Sequence, residues 1–364
     1  MDPKRVYGEW GPEAEASVQA ILRSGVFVKG PHVAAFEEAF AGLVGVRHAV
    51  AVDSGTEALT LVLRAVLNGR AADRREVILP TFTFVATAGA VVNAGGHPIF
   101  ADVDRETMNL CPHSLAHLLS ERTAAVLPVH LFGAPMDMDA LAQALVGRPD
   151  VFVLEDAAQA IHATWRGRRA GALAPAGAFS FYPSKNLGAA GDAGAVTTDD
   201  PALAEAVASL RDHGQKRKLY SHERVGTNAR MDEMQAAVLR AKLPRVEAWT
   251  AARRAVAARY DAAFAGTRVV PQRVSPHAES AYHLYTVRVP RRDALKGLLE
   301  AAGIASGIYY PVPLHQQACF APFLPGACPN ALALAQEVLS LPLFPGLERT
   351  EQERVIAAVR AAPA

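Results

Sequence analysis

Near its middle the chain reads Val151-Phe152-Val153-Leu154-Glu155-Asp156-Ala157-Ala158-Gln159, an apolar run that ends in two acidic residues. A short, uninterrupted apolar run is typical of a strand buried on both faces, as in a parallel sheet covered by helices. Ligands of such sheets bind where the strands end and the loops begin. The stretch therefore predicts a buried strand with the Asp156 carboxylate at a ligand site, or else an Asp156 that only caps a helix.

Similar runs stand on both sides of this strand between residues 47 and 199, and helical stretches separate them. The other predicted strands are residues 48–52, 76–79, 97–100, 124–127, 178–181 and 194–197. This alternation predicts an α/β fold with a mainly parallel, seven-stranded sheet flanked by helices.

After these strands the pattern changes to helical spacing, and one further strand-like run follows. The predicted elements are helices at residues 201–211 and 231–260, the second interrupted by Pro244, a strand at 285–289, and helices at 291–302 and 330–339. We therefore predict a large α/β domain over residues 1–250 and a smaller C-terminal α+β domain over residues 251–364.

The composition is that of an ordinary globular protein, with 37 basic and 36 acidic residues among 364. We expect no nucleic-acid partner, because the one basic run, Lys216-Arg217-Lys218, is short. Three scattered cysteines fit neither a disulfide framework nor a metal knuckle, so we expect no metal site and a cytoplasmic location. Without a signal peptide or an apolar run of membrane-spanning length, we also expect no membrane association.

One lysine is framed by small and rigid residues in a loop between two predicted strands, in the run Ser180-Phe181-Tyr182-Pro183-Ser184-Lys185-Asn186-Leu187-Gly188. Such a loop can hold an amine rigidly, and the amine can then form an imine and shuttle protons. A lysine taken alone is more often a solvated surface charge. Lys185 becomes informative only together with Asp156 and with a third segment.

The third segment, Asp53-Ser54-Gly55-Thr56-Glu57-Ala58-Leu59, follows the first predicted strand and leads into a helix. Free backbone N–H groups and the helix dipole can hold a phosphate there, although Ser54 or Thr56 could merely cap the helix. A lysine, a phosphate site and a carboxylate are together what pyridoxal 5′-phosphate (PLP) requires. An anion beside its pyridine nitrogen keeps the ring protonated and able to accept electrons.

The chain resembles the DegT/DnrJ/EryC1/StrS family of sugar aminotransferases, which are PLP enzymes of fold type I, the aspartate aminotransferase fold. The stretches that carry the resemblance are residues 24–31, 80–87, 155–159, 180–185, 226–232 and 310–315. They span almost the whole chain in the family's order, so a chance match is excluded.

The resemblance implies a role for each matching residue. Lys185 would hold PLP as a Schiff base, Asp156 would pair with the pyridine nitrogen, and Gln159 would bond the phenolic oxygen of the ring. The residues implied for the phosphate are Gly55, Thr56, Ser180 and, from the second subunit of a homodimer, Asn228. Phe84 would stack on the ring, although an aromatic residue taken alone is usually part of a core.

The implied reaction is an amino transfer in two halves, from an amino acid, usually glutamate in this family, to PLP and then to a keto sugar. Lys185 would move the proton in both halves. A few members of the family carry histidine instead of the lysine and are dehydratases, so Lys185 indicates an aminotransferase. The residues around Lys185, with Gly191-Asp192 after them, resemble enzymes that act at C3 of a nucleotide-linked sugar. This favours a dTDP- or UDP-linked 3-oxo sugar as acceptor.

Six residues are candidate substrate contacts, because a nucleotide diphosphate needs cationic or hydroxyl donors and a sugar ring needs aromatic walls. They are Phe27, Tyr182, Tyr220, Arg230, Tyr310 and His315. Each of them could be structural, His315 above all.

Three other functions stay open: a 4-keto-sugar aminotransferase, a non-catalytic regulator of the same family, and a PLP enzyme with another reaction. A regulator would have no chemical need to keep Lys185, Asp156 and Gln159 together. The pathway and its end product stay open as well.

Overall fold

The computed structural model describes residues 3–216, 220–323 and 326–362. Its strands are β1 (His48–Val52), β2 (Glu76–Pro80), β3 (His97–Ala101), β4 (Thr123–Val126), β5 (Phe152–Asp156), β6 (Thr164–Trp165), β7 (Arg168–Arg169), β8 (Ala176–Ser180), β9 (Gly194–Thr198), β10 (Val270–Pro271), β11 (Ala278–Glu279), β12 (Tyr285–Arg288) and β13 (Val338–Leu341).

Helices cover much of the remaining chain. The α-helices are α1 (Gly11–Ser24), α2 (Pro31–Val44), α3 (Gly55–Leu67), α4 (Val85–Asn93), α5 (Pro112–Leu118), α6 (Met138–Ala144), α7 (Pro201–Leu210), α8 (Glu233–Lys242), α9 (Val246–Phe264), α10 (Arg292–Ala301), α11 (Pro329–Glu337) and α12 (Arg349–Ala361). The 3-10 turns are Pro3–Glu9, Leu131–Gly133, Leu243–Arg245, Leu314–Gln316 and Ala318–Phe320.

The largest sheet among the described residues has seven strands in the order β1-β9-β8-β5-β4-β2-β3. β9 is antiparallel to both of its neighbours, and the other pairs are parallel. Each strand lies within two residues of its predicted bounds at either end. The prediction of an α/β fold with a mainly parallel sheet is confirmed.

The register of β9 decides where the site forms. Gly194, its first residue, pairs with Val52 at the end of β1 and with Ser180 at the end of β8. Since β9 is antiparallel to both, β1 and β8 run in the same direction and end at the same edge of the sheet. β5 is parallel to β8, so its last residue, Asp156, lies at that edge too. Three carboxyl ends thus meet there.

Aromatic packing fixes α2 on one face of this sheet. Phe36 and Phe40, one turn apart on α2, are fully buried against Phe179 and Phe181. The ring centroids of neighbouring pairs lie 5.0–5.5 Å apart. Burial of each such ring contributes about 2–3 kcal/mol. Because Phe179 and Phe181 flank Ser180, this packing also anchors the end of β8.

Helix α9 connects the large sheet with the C-terminal sheet β10-β12-β13. Val246 at its start packs in the core of the large sheet, whereas Val256, Tyr260 and Phe264 pack against the C-terminal sheet. The predicted domain boundary after residue 250 therefore falls inside a continuous helix. The division into two domains stays a prediction.

The predicted helix at residues 330–339 is wrong at its end. Helix α11 stops at Glu337, and the next residues form β13, in which Leu341 pairs with Tyr285 of β12. Val338 and the residues after it are buried on both sides of the strand. No glycine or proline separates the helix from the strand, so the local sequence does not mark the end of the helix. The pairing of β13 with β12 determines where the helix ends.

Residues 314–323 and 326–337 return to the large sheet. Leu314 and Phe320 are buried in its core, and the backbone N–H of Leu314 donates to the Thr81 carbonyl at 2.8 Å. The Asp102 carboxylate accepts the backbone N–H groups of Asn330 and Ala331 at the start of α11, at 3.1 and 2.9 Å. These contacts hold the 310–315 segment beside the end of β2. None of the described helices is both long and apolar enough to cross a bilayer.

Candidate active site

Lys185 lies in a tight loop between β8 and β9. Its backbone N–H donates to the Tyr182 carbonyl at 2.8 Å, and the N–H of Ala189 donates to the Phe181 carbonyl at 2.7 Å. Gly188 packs so closely on Pro183 that a Cβ atom would clash with the Pro183 carbonyl. The loop is therefore rigid, as the sequence around Lys185 predicts.

The amine of Lys185 is easily deprotonated. Burial lowers the pKa of Lys185 to about 8, and the nearby Asp156 carboxylate only partly opposes this shift. No side-chain hydrogen bond holds the amine within the described part of the chain. At pH 7 about a tenth of such amines are neutral, compared with fewer than about one in a thousand for an ordinary lysine. A neutral amine is what attack on a carbonyl carbon requires.

Asp156 is a buried carboxylate with neutral hydrogen-bond donors. Its Oδ2 accepts the Thr87 hydroxyl at 2.8 Å, and its Oδ1 accepts the Ala158 backbone N–H at 3.2 Å. Burial raises the pKa of Asp156, and the hydrogen bonds from Thr87 and Ala158 oppose this. A cationic N–H donor stabilises the ionised form of a carboxylate that is buried in this way. The protonated pyridine nitrogen of PLP is such a donor, so the residue fits its predicted partner.

A second carboxylate anchors the end of β5. Glu155 is fully buried and accepts the backbone N–H groups of Gly171, Leu173 and Ala174 at 2.7–2.8 Å. His130 donates to the same carboxylate from Nε2 at 2.9 Å, because its Nδ1 accepts the Met136 backbone N–H. This network fixes the strand end that carries Asp156.

The orientation of the Gln159 amide is set by the backbone. Its Oε1 accepts the Phe132 N–H at 2.6 Å, which turns the NH2 group towards the Tyr310 hydroxyl, 3.2 Å from Nε2. Gln159 therefore offers N–H donors to the site, as a phenolic oxygen of PLP requires. Burial raises the pKa of Tyr310, so its hydroxyl stays protonated. The ring of Phe84 is half-exposed, 6.1 Å from that of Tyr310 between centroids.

Gly55, Thr56 and Ser180 form a cradle at the start of α3. A Cβ atom on Gly55 would lie 2.6 Å from the Cβ of Ser180, so only glycine leaves this space open. The Ser54 hydroxyl caps the Glu57 N–H at 3.1 Å, while the N–H groups of Gly55 and Thr56 donate to no described residue. Free N–H groups at a helix start fit a phosphate. Burial raises the pKa of Asp53 and of Glu57.

His315 lies beside the end of β2. The Thr81 hydroxyl accepts the backbone N–H of His315 at 3.1 Å and contacts its Nδ1 at 2.7 Å. A hydroxyl accepts up to two hydrogen bonds and donates one, so this contact is compatible with both ring tautomers. Burial lowers the pKa of His315, which favours the neutral ring.

The segment that carries Asn228 and Arg230 passes the end of β1, because Val52 bridges to Arg230 and the Asp53 N–H donates to the Ala229 carbonyl at 3.1 Å. Asn228 is exposed, and its backbone bridges to Asp212. Arg230 donates to the Asp212 carboxylate at 2.6 Å and lines a groove of about 420 Å³. Lys29, Arg211 and Lys216 line the same groove, which none of the residues assigned to PLP reaches. Of the predicted basic run, Arg217 and Lys218 lie outside the described residues.

The predicted aromatic contacts are accessible. Phe27, Tyr182 and Tyr220 are 46, 53 and 84% exposed. Their exposure is compatible with contact to a substrate and with contact to a second subunit, and it does not distinguish the two.

The residue that sequence reasoning missed is Thr87, which lies in the stretch at 80–87 that carries the resemblance. Its only sequence signal was its place in that stretch.

The chain is similar to proteins of established families over its full length. The model of the DegT/DnrJ/EryC1/StrS aminotransferase family matches residues 9–360. dTDP-3-amino-3,4,6-trideoxy-alpha-D-glucose transaminase of Streptomyces venezuelae is 44% identical, with 99% of this chain and 94% of the relative covered. UDP-N-acetyl-3-dehydro-alpha-D-glucosamine 3-aminotransferase of Acidithiobacillus ferrooxidans is 42% identical, with 96% and 93% covered. Erythromycin biosynthesis sensory transduction protein EryC1 of Saccharopolyspora erythraea is 43% identical, with 99% and 98% covered.

A solved structure agrees with these relatives. The crystal structure of S. venezuelae DesV in complex with a ketimine intermediate superposes with a TM-score of 0.94 at 44% identity, with 99% of this chain and 96% of that chain covered. The family match and the site geometry lead to one conclusion: the chain belongs to the DegT/DnrJ/EryC1/StrS aminotransferase family, whose cofactor is PLP, and has the fold of its sugar aminotransferases.

Proposed function

We propose that this enzyme transfers the amino group of glutamate to a nucleotide-linked 3-oxo sugar, carried by dTDP or UDP, in amino-sugar biosynthesis. The observation that carries the proposal is the meeting of the Lys185 amine, the Asp156 carboxylate and the Gly55–Ser180 cradle at one edge of the sheet. The names of two relatives, which place the amino group at C3 of a dTDP sugar or a UDP sugar, support the acceptor class.

Bound PLP supplies an aldehyde that takes up amino groups and a ring that accepts electrons. The residues of this chain would hold and orient it: Asp156 would pair with the ring nitrogen, Gln159 would donate to the phenolic oxygen, and the cradle would hold the phosphate. Phe84 would pack against the ring.

Lys185 has two tasks in this proposal. Its amine would hold the aldehyde of bound PLP, and once released it would move a proton as a general base and acid. Both tasks need a free amine at neutral pH, and the lowered pKa of Lys185 provides one. The tight loop at Tyr182–Ala189 holds the amine in place for both.

The sugar would lie between the Lys185 loop and the segment at 310–315. Tyr310 offers a protonated hydroxyl there, and His315 would offer its ring Nε2 as a donor or an acceptor. Tyr182 adds an exposed aromatic wall from the loop itself. These groups suit the hydroxyl and ring faces of a sugar.

Asn228 acts in the partner's site in this proposal, so the enzyme would be a homodimer. Its side chain is exposed, and the groove beside it carries four cationic and two acidic residues, with Arg230 among the cations. Each of these cations pairs with an acidic side chain, Asp212, Glu37 or Glu223. The diphosphate of a nucleotide sugar would share their N–H donors, with Phe27 and Tyr220 as accessible flanking rings. We expect the enzyme in the cytoplasm, where its three free cysteines stay reduced.

The experiment is a product assay of the PLP-loaded enzyme with glutamate and a panel of dTDP- and UDP-linked 3-oxo and 4-oxo sugars. We expect 2-oxoglutarate and a 3-amino sugar to appear in equal amounts. Product only from 4-oxo sugars would contradict the C3 assignment. The regulator alternative, which the name of one relative raises, predicts no product with any sugar.

A further inference from the structure

A small cavity lies behind the loop that carries Lys185. It has a volume of about 40 Å³, and its wall includes Lys185, Gly188, Trp10 and Phe344. Apart from Lys185, no residue assigned to PLP lines it, so it opens on the side of the loop away from the cofactor. A water molecule needs about 10–15 Å³ measured in this way, so the cavity has room for about three water molecules or ions of that size.

Two buried cations line this cavity, Lys242 of α8 and Arg253 of α9. Lys242 is 9% exposed and Arg253 is 1% exposed. Neither side chain forms an ion pair within the described residues. Isolated buried charge is costly, and it is normally matched by an opposite charge.

The hydrogen bonds of these two side chains are incomplete. Lys242 donates to the Gly188 carbonyl at 2.6 Å, and its nitrogen lies 4.0 Å from the centre of the Trp10 ring. Arg253 shares its Nη1 among the carbonyls of Tyr282, His283 and Leu343 at 3.1–3.3 Å. Its Nε is buried and has no partner. An N–H group without a partner beside a cavity indicates a missing acceptor.

The nearby acidic group does not supply that acceptor. Glu9 is exposed and accepts the indole N–H of Trp249 at 2.9 Å. Burial lowers the pKa of Lys242 to about 8 and that of Arg253 to about 9, as expected for cations that lack a counter-charge. An anion between them would raise the pKa of both groups.

We propose that this cavity binds one small monovalent anion of halide size, held by Lys242 and Arg253 behind the Lys185 loop. Chloride fits the volume together with water and needs only N–H donors and cations, which the cavity provides. A bound chloride would also stabilise the Lys185 loop, because the Gly188 carbonyl and the anion would share Lys242.

The first test is diffraction from crystals of the PLP-loaded enzyme grown or soaked with sodium bromide. We expect an anomalous bromide peak between the Lys242 Nζ and the Arg253 Nε. A cavity without this peak, or with a protein carboxylate between the two cations, would overturn the proposal.

The second test measures the melting temperature of the PLP-loaded enzyme against sodium chloride, with sodium gluconate keeping the ionic strength constant. We expect a saturable rise of about 2 °C or more. The variant K242M should lose this rise. The matched control K296M replaces an exposed lysine of α10 and should keep it. A chloride response that persists in K242M would contradict the site.

Discussion

The Thr87 hydroxyl donates a hydrogen bond of 2.8 Å to the buried Asp156 carboxylate, and the two residues come from different elements, α4 and β5. This bond opposes the rise that burial causes in the pKa of Asp156. In the proposed function Asp156 pairs, as an anion, with the protonated ring nitrogen of PLP. Thr87 would then be a positioning residue for the Asp156 carboxylate.

Replacing Thr87 with valine should weaken PLP binding about 10–100-fold, because a hydrogen bond to a charged group is worth about 1.5–3 kcal/mol. Absorbance titration of the cofactor-free protein with PLP measures the dissociation constant. The variant T87S keeps the hydroxyl and should bind nearly as the wild type does. Equal affinity of T87V and the wild type would show that the bond has no role.

Filling the cradle should prevent phosphate binding. In Gly55→Ala the new methyl group would lie 2.6 Å from the Ser180 Cβ, and relief of this contact would close the space for the phosphate. We expect PLP affinity to fall at least about tenfold. Gly297→Ala in α10, where a Cβ meets no atom within 4 Å, is the matched control and should bind PLP normally.

Of the two residues replaced in these variants, Gly55 could be predicted from the sequence and Thr87 could not. The strands and the Gly55, Asp156 and Lys185 positions follow from local runs and the resemblance, since apolar runs, turns and strand ends are local features. The bond between Thr87 and Asp156 joins residues 69 positions apart, and a threonine near a helix start has many ordinary roles. The end of α11 was missed for a related reason, since Val338 pairs with Arg288 on a strand that local pattern cannot reveal.

The stability of the cofactor-free protein should depend on pH through Lys185. The pKa of Lys185 is about 8 in the folded protein and 10.5 in the unfolded chain, so the unfolded chain binds more protons between these values. The free energy of unfolding should therefore rise with pH in this window.

The contribution of Lys185 to the pH dependence of the free energy of unfolding is measured by comparison with Lys185→Met, which lacks the titrating group. Between pH 8 and pH 10 the wild type should gain about 2 kcal/mol relative to K185M in urea unfolding. A constant difference between the two proteins would mean that the pKa of Lys185 is not lowered in the folded state.

Mixing two damaged subunits tests whether Asn228 serves the partner's site. N228A should bind PLP weakly and K185A should be inactive. If Asn228 acts across the interface, each mixed dimer has one site with both residues intact. Activity at limiting PLP should then return to about a quarter of the wild-type value in an equal mixture. If Asn228 acts only within its own subunit, the mixture would be no more active than its components. A different affinity tag on each variant would show, by tandem purification, that mixed dimers had formed.

The central claim is that Lys185 holds PLP and releases it when PLP takes up the amino group of a donor. The direct measurement is the visible absorbance spectrum of the purified enzyme with PLP, before and after glutamate is added, with K185A alongside. We predict the band of lysine-bound PLP in the wild type, its replacement by the spectrum of pyridoxamine phosphate after glutamate, and neither change in K185A. An unchanged wild-type spectrum, or the same spectral changes in K185A, would contradict the assignment.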